Sequence, residues 1–144
     1  MVTDDNNLDD LQDAFDDALA AGLERLHGRT LRELIVNMAQ GQDALGNPWE
    51  PLKESTIRAK GSATPLMDDS RLITDINAAS TVDHDNLEAI IGTNLDYAHP
   101  HEFGAPEAGI PRRPIFAPAG DRAAQLAEEL LSEDINAAIE REGL

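Results

Sequence analysis

The sequence predicts an α+β fold: a small antiparallel sheet with a long N-terminal helix, a shorter C-terminal helix and an extended interface loop. Three observations predict it. Apolar residues step by three to five from Leu8 to Met38, and again from Ala123 to Ile139, each making one helical stripe. Between these stretches, Ala79 to Asp83 and Leu87 to Gly92 flank His84-Asp85-Asn86, residues that tolerate the left-handed geometry of a hairpin turn. At 144 residues the chain is expected to form one domain spanning 1–144, long enough for a real core.

Residues 1–7 are mostly polar and expected to be disordered. The first helix carries Leu8, Leu11, Phe15, Leu19, Leu23, Leu26, Leu31, Leu34, Ile35 and Met38 on its stripe. Gly28-Arg29-Thr30 is placed to kink it, with Thr30 capping a second segment and Glu33 completing the box. Gly41 to Pro51 reads as a loop holding the single Trp, Trp49, either as a core plug or as an interface anchor. Leu52 to Lys60 and Pro65 to Ala79 read as short helices, the second with Asp68 or Asp69 as cap. The stretch from Asn94 to Pro118 reads as loop with a strand at Ile115 to Ala117, and Ala119 to Glu142 as the final helix.

Charge limits the function. There are 16 Asp and 12 Glu against 9 Arg and 2 Lys, a net −17. A duplex-binding protein gathers cations to neutralise phosphates, so this balance opposes ordinary DNA binding. Disorder would also fit such acidity, but the 41% apolar content is periodic. An Asp-rich, Lys-poor chain fits molar salt, where a Debye length of about 3 Å screens self-repulsion. No apolar run reaches membrane-spanning length and no signal peptide is read at the acidic N-terminus, so a soluble protein with no membrane partner is expected. Cysteine is absent, which removes disulfides and thiolate chemistry.

The stretch from Gly92 to Pro114 organises the rest. It reads Gly92-Thr93-Asn94, Tyr97-Ala98, His101-Glu102-Phe103-Gly104 and Ile110-Pro111-Arg112-Arg113-Pro114. Prolines on both sides of the two arginines restrict the backbone and push Ile110 and Arg113 toward extended geometry. A rigid loop with aromatic residues presents a surface or locks a subunit.

The pattern G-T-N-x-x-Y-A-x-x-H-E-F-G followed by I-P-x-R-P resembles the phage virion morphogenesis family of tail-completion (neck) proteins. Gly46-Asn47-Pro48-Trp49-Glu50-Pro51-Leu52 with Thr56 resembles its G-x-x-W-x-x-L…T segment, and Pro65-Leu66…Ser70-Arg71-Leu72 its P-L…G-x-L stretch, Ser70 standing where the family usually has Gly. The resemblance covers roughly Gly41 to Pro118. It implies a structural virion protein at the head–tail junction, a homo-oligomeric ring, expected to be a hexamer. The ring would join tail to head beside neighbouring neck, head-completion, and tail-terminator or tail-tube proteins, and pass genomic DNA without sequence-specific binding. The expected location is the virion, after assembly in the host cytoplasm. With the salt-adapted composition, the expected source is a haloarchaeal tailed virus.

Catalysis finds no support in the sequence. There is no G-x-S-x-G elbow, no P-loop and no dinucleotide fingerprint. His99, His101 and Glu102 could together hold a metal in a hydrolase. Pro100 restricts that geometry, and no third His or Cys stands nearby, so neither metal nor cofactor is expected and the chain reads as no enzyme. An acidic DNA-mimic regulator is the other alternative, but the charge runs through every segment rather than one face. Expected interface residues are Trp49, Tyr97, His101, Phe103, Arg112 and Arg113. Arg113, at the arginine of I-P-x-R-P, is expected to clamp a neighbouring subunit's carboxylate from an exposed loop, and Arg112 sits at the variable position. Lys53, Arg58 and Lys60 lie together, either covering apolar surface or meeting an acidic neighbour.

The composition makes one prediction. Thermal midpoints should rise from low salt to molar KCl or NaCl; midpoints that stay flat or fall would refute salt adaptation.

Overall fold

The computed structural model describes residues 5–60, 65–66 and 70–143. Two long helices carry the architecture: α1, Asp5–Ala39, and α5, Phe116–Arg141. They pack antiparallel, as the ion pairs along them require. Arg25 meets Asp134 at 2.6 Å and Glu133 at 3.2 Å near one end, and Arg122 meets Glu33 at 2.6 Å near the other. Gly22 permits the close approach, since a Cβ there would lie 2.5 Å from Leu131 Cδ2.

No second helix begins near Gly28, because α1 runs through it. Thr30 is buried and donates its hydroxyl to the Leu26 carbonyl at 2.7 Å, the one-turn-back bond of a residue inside a helix. Glu33 turns to Arg29 and Arg122 instead of completing a capping box. Helix already includes residues 5–7, where disorder was expected; residues 1–4 lie outside the described residues.

Between the long helices the described residues make three short helices and a hairpin. Helix α2 is Glu54–Lys60 and α3 is Arg71–Ala79. The helix expected from Pro65 is therefore shorter, while the expected caps Asp68 and Asp69 lie outside the described residues. Ser70 precedes α3 at φ +59°, the left-handed region that favours glycine. Strands β1, Thr81–Asp83, and β2, Glu88–Ile90, pair antiparallel with Thr81 opposite Ile90 and Asp83 opposite Glu88. The Asp83 carboxylate holds the turn by accepting from the Asp85 and Asn86 amides and, at 2.7 Å, from Asn86 Nδ2. These bonds hold the Asp83 carboxyl below its ordinary pKa. Helix α4, Ala98–Phe103, and a 3₁₀ turn, Pro106–Ala108, interrupt what the sequence presents as continuous loop.

The core gathers where α1 ends and α5 begins. Leu34 and Met38 of α1, Leu72 and Ile76 of α3, Ala98, Ile115 and Ala119 close around Trp49. At the other end α1 outruns its partner. Ala14 and Asp17 sit level with Arg141 and Glu142, so residues 5–13 extend about 13 Å farther, at 1.5 Å per residue. Among the described residues no helix is long and apolar enough to cross a membrane.

Trp49 is 6% exposed, and its indole Nε1 donates to the Pro114 carbonyl at 2.9 Å. Trp49→Ala should lower unfolding free energy by about 3–5 kcal/mol, and wild-type fluorescence should be blue-shifted in the isolated chain. A solvated emission maximum, or a loss under about 1 kcal/mol, would remove Trp49 from the core.

Candidate functional site

The motif-bearing stretch is braced from within the chain at four points. The first is Asp75 on α3, whose carboxylate accepts from the Thr93 hydroxyl and, at 2.7 Å, from the Asn94 amide. Those bonds, the Thr93 hydroxyl foremost, hold the Asp75 carboxyl below its ordinary pKa. Thr93 Oγ1 then accepts from the Leu95 amide at 3.2 Å and turns the chain toward α4.

The second brace is Glu102, buried at the end of α4. Its Oε1 accepts from the amides of Ile115 at 2.6 Å and Phe116 at 2.8 Å, and its Oε2 from Ala117 at 3.1 Å. A helix begins with unpaired amides and a positive dipole end, and an anion there satisfies both. The next residue, Pro118, has no amide to satisfy, so one carboxylate completes the start of α5. This is why the strand expected at Ile115 to Ala117 is absent: Glu102 commits those amides to a helix. The same engagement corrects the hydrolase alternative, which needed Glu102 as a ligand. Among the described residues, no group of three or more His, Asp or Glu is arranged to hold a metal.

Gly104 is the third. Its φ of +77° favours glycine, and a Cβ would lie 3.3 Å from the Arg112 amide nitrogen. The two arms of the loop can therefore close: the Arg113 amide donates to the His101 carbonyl at 2.7 Å, and Ala105 and Ile110 exchange backbone bonds at 2.9 and 3.0 Å. Arg112 Nε donates to the Glu102 carbonyl at 3.2 Å.

Arg113 is the fourth, and here the expectation of an exposed clamp is corrected. Its side chain is buried, with Nε donating to the Glu50 carbonyl at 2.8 Å and Nη2 to the Pro51 carbonyl at 3.3 Å. Burial pushes its pKa down, partly offset by the nearby Glu50 charge, yet a guanidinium remains charged. Arg113 and Trp49 thus tie the Trp49-Glu50-Pro51 segment to Arg113-Pro114. Extended backbone with no mutual ladder needs such side-chain bonds to be satisfied.

The other expected residues face outward. Phe103 is 66% exposed and tilts against His99 with ring centroids 4.8 Å apart. Tyr97 is 39% exposed, Arg112 is exposed and His101 half-buried. A groove of about 910 Å³ opens between the Glu50–Lys53 segment and this loop, with Tyr97, His101, Phe103, Arg112 and Arg113 on its walls; Trp49 lies behind it in the core. Glu102 and Asp75 are the residues that sequence reading missed as builders of the site. One signal was available for Glu102: Ile115-Phe116-Ala117-Pro118 contains no Ser, Thr, Asp or Asn to cap the helix it opens.

A model of the phage virion morphogenesis family matches residues 5–137. The chain belongs to that family. The relatives of this member include the Mu-like prophage FluMu G protein 2 of Haemophilus influenzae, 34% identical over 128 residues that cover 78% of this chain and 86% of the relative. No solved structure matches significantly. The matched span contains every brace described above. Ser70, which the sequence resemblance places where a glycine is expected, sits in the left-handed region, which is the physical demand glycine meets.

Because Arg113 satisfies backbone carbonyls inside its own chain, Arg113→Ala should lower unfolding free energy by about 1–3 kcal/mol, and Lys should recover only part of it. Glu102→Gln should cost a similar amount, since an amide places a donor against the amides of α5. Urea unfolding measures both. Wild-type stability in Arg113→Ala would return the arginine to a purely intermolecular role.

Proposed function

We propose that this virion morphogenesis protein acts at the head–tail junction, as a tail-completion or neck component that joins tail to head. It works as a ring of identical copies, a hexamer in this reading, set between neck or head-completion proteins and tail-terminator or tail-tube proteins. Genomic DNA passes its lumen, where the net −17 charge repels phosphate and discourages sticking. The carrying observation is the construction of the loop from Gly92 to Pro114. Its buried residues, Glu102 and Arg113, fix it from inside, while Tyr97, Phe103 and Arg112 are held outward at a groove. A loop that is rigid before it meets a partner loses little entropy on docking, which suits a part that must fit copies and neighbours in one geometry.

A structural role also accounts for what the buried groups do. Glu102 and Arg113 complete backbone hydrogen bonding, and the family is one of virion morphogenesis. Salt adaptation and a haloarchaeal host belong to the same proposal, supported by the Asp-rich, Lys-poor composition.

The test is a virus lacking the gene, complemented in trans. Filled heads and separate tails should accumulate without the protein, and restored virions should carry it at the neck by immunogold labelling. Normal tailed particles in its absence, or label elsewhere on the virion, would overturn the junction role.

A further inference from the structure

The turn between β1 and β2 carries a strain that its own chain does not explain. Leu87 sits at φ +51°, in the left-handed region where a Cβ crowds the following carbonyl. Glycine or asparagine would hold the turn at lower cost. A buried leucine would at least gain from packing, yet Leu87 is 44% exposed. Strain of this kind persists where a position serves something other than stability. Charge adds a second cost. Asp83 stands directly opposite Glu88 in the register, and like charges across a strand pair repel. Asp85 extends the acidic rim, and no Lys or Arg occurs between Arg71 and Arg112. Ile90, also exposed, lies on the same face of the ribbon as Glu88.

A surface that fits this tip lies on the other side of α1. Glu24 and His27 hold the hairpin: His84 Nε2 lies 2.9 Å from Glu24 Oε2, and His27 Nε2 donates to the Ile90 carbonyl at 3.1 Å. Val36 follows His27 by nine residues, about two and a half turns, so it projects from the opposite side of the helix. There Val36, 51% exposed, and Leu45 give apolar surface to a hollow of about 430 Å³. Asp43 fixes the Leu45 loop: buried, its Oδ1 accepts from the Leu45 amide at 2.9 Å and the Asn47 amide at 3.0 Å. Exposed Arg32 also lines the hollow and, among the described residues, makes no hydrogen bond or ion pair. Glu33, the carboxylate among the lining residues, is taken by Arg29 and Arg122.

We propose that the hairpin tip of one copy docks in this hollow on a second copy, with Leu87 against Val36 and Leu45, and Arg32 meeting Glu88 beside Asp83. The apolar contact supplies the affinity, and the guanidinium sets the register by relieving the Asp83–Glu88 repulsion. Both parts are held before they meet. Asp43 fixes the Leu45 loop, and the Asp83 carboxylate fixes the turn by accepting from Asp85 and Asn86, so docking requires little ordering. Tip and hollow lie on opposite sides of α1 and cannot meet within one chain. Copies joined this way meet head to tail, so repetition closes a ring or extends a filament. The contact rests on the ring reading above and supplies that ring's subunit interface.

Sedimentation equilibrium of the full-length protein, at the lowest salt in which circular dichroism shows the native fold, tests this. Wild type should associate with a dissociation constant below about 1 mM. Leu87→Asn keeps the turn geometry and removes the anchor. It should weaken association at least about tenfold while its thermal midpoint holds or rises. Val36→Glu, on an exposed helix position, should weaken association in the same way. Arg32→Glu and Glu88→Arg should each weaken it too, and one chain carrying both should regain most of the affinity, because every contact then holds the pair reversed. Should a reversal misfold, Arg32→Gln and Glu88→Gln test the same pair and should shift association in the same direction. Three results would overturn the contact: a wild type that stays monomeric to about 1 mM, a Leu87→Asn chain that loses stability but keeps association, or a doubly reversed chain that associates no better than its parents. An oligomer untouched by all these changes would sink this contact while leaving the head–tail role to the virion experiment, which reads particle morphology instead.

Discussion

Three backbone amides at the start of α5 point at one buried carboxylate, and the arrangement of the functional loop follows from that meeting. Glu102 lies on a six-residue helix too short to hold itself. By accepting from Ile115, Phe116 and Ala117 it anchors that helix to the longest packing surface in the molecule, the α1–α5 pair. The anion is favoured there by the helix dipole and by the absence of any competing cap. Removing it would leave the buried Ile115 amide unsatisfied at the point where core, loop and groove converge.

The remaining braces act on the same junction from the other side. Trp49 donates to Pro114 and Arg113 to Glu50 and Pro51, so two segments far apart in sequence are joined without a β-ladder. Hydrogen bonds from a charged donor are the stronger kind, and burial in the chain makes their loss costly. The energetic logic explains why an arginine that looks designed for a partner serves the monomer first. The exposed residues of the loop, Phe103 and Arg112, gain their fixed positions from these hidden neighbours.

Charge divides the molecule's surface roles. Acidic side chains dominate the helices, with Arg25, Arg29 and Arg122 spent on pairs that lock α1 to α5 or to itself. Glu33, beside Arg122, has its pKa lowered chiefly by that hydrogen bond. Such a group contributes stability above its unfolded pKa and loses it as pH falls through the folded value, so this helix contact weakens only in acid.

Periodicity predicted the two long helices, and residue types a hairpin at His84-Asp85-Asn86, because those signals are local, although the left-handed residue of that turn is Leu87. The order of the motifs also identified the family and the stretch that matters. How those motifs are used depends on long-range packing. Whether Arg113 faces a neighbour or its own Glu50 carbonyl, and whether Ile115 opens a strand or a helix, depends on partners 13 to 63 residues away. Thr30 likewise reads as a cap until the packing of α5 keeps α1 continuous through Gly28. Side-chain hydrogen bonds to distant backbone leave no period in the sequence, so a buried brace and an exposed clamp are written with the same letters.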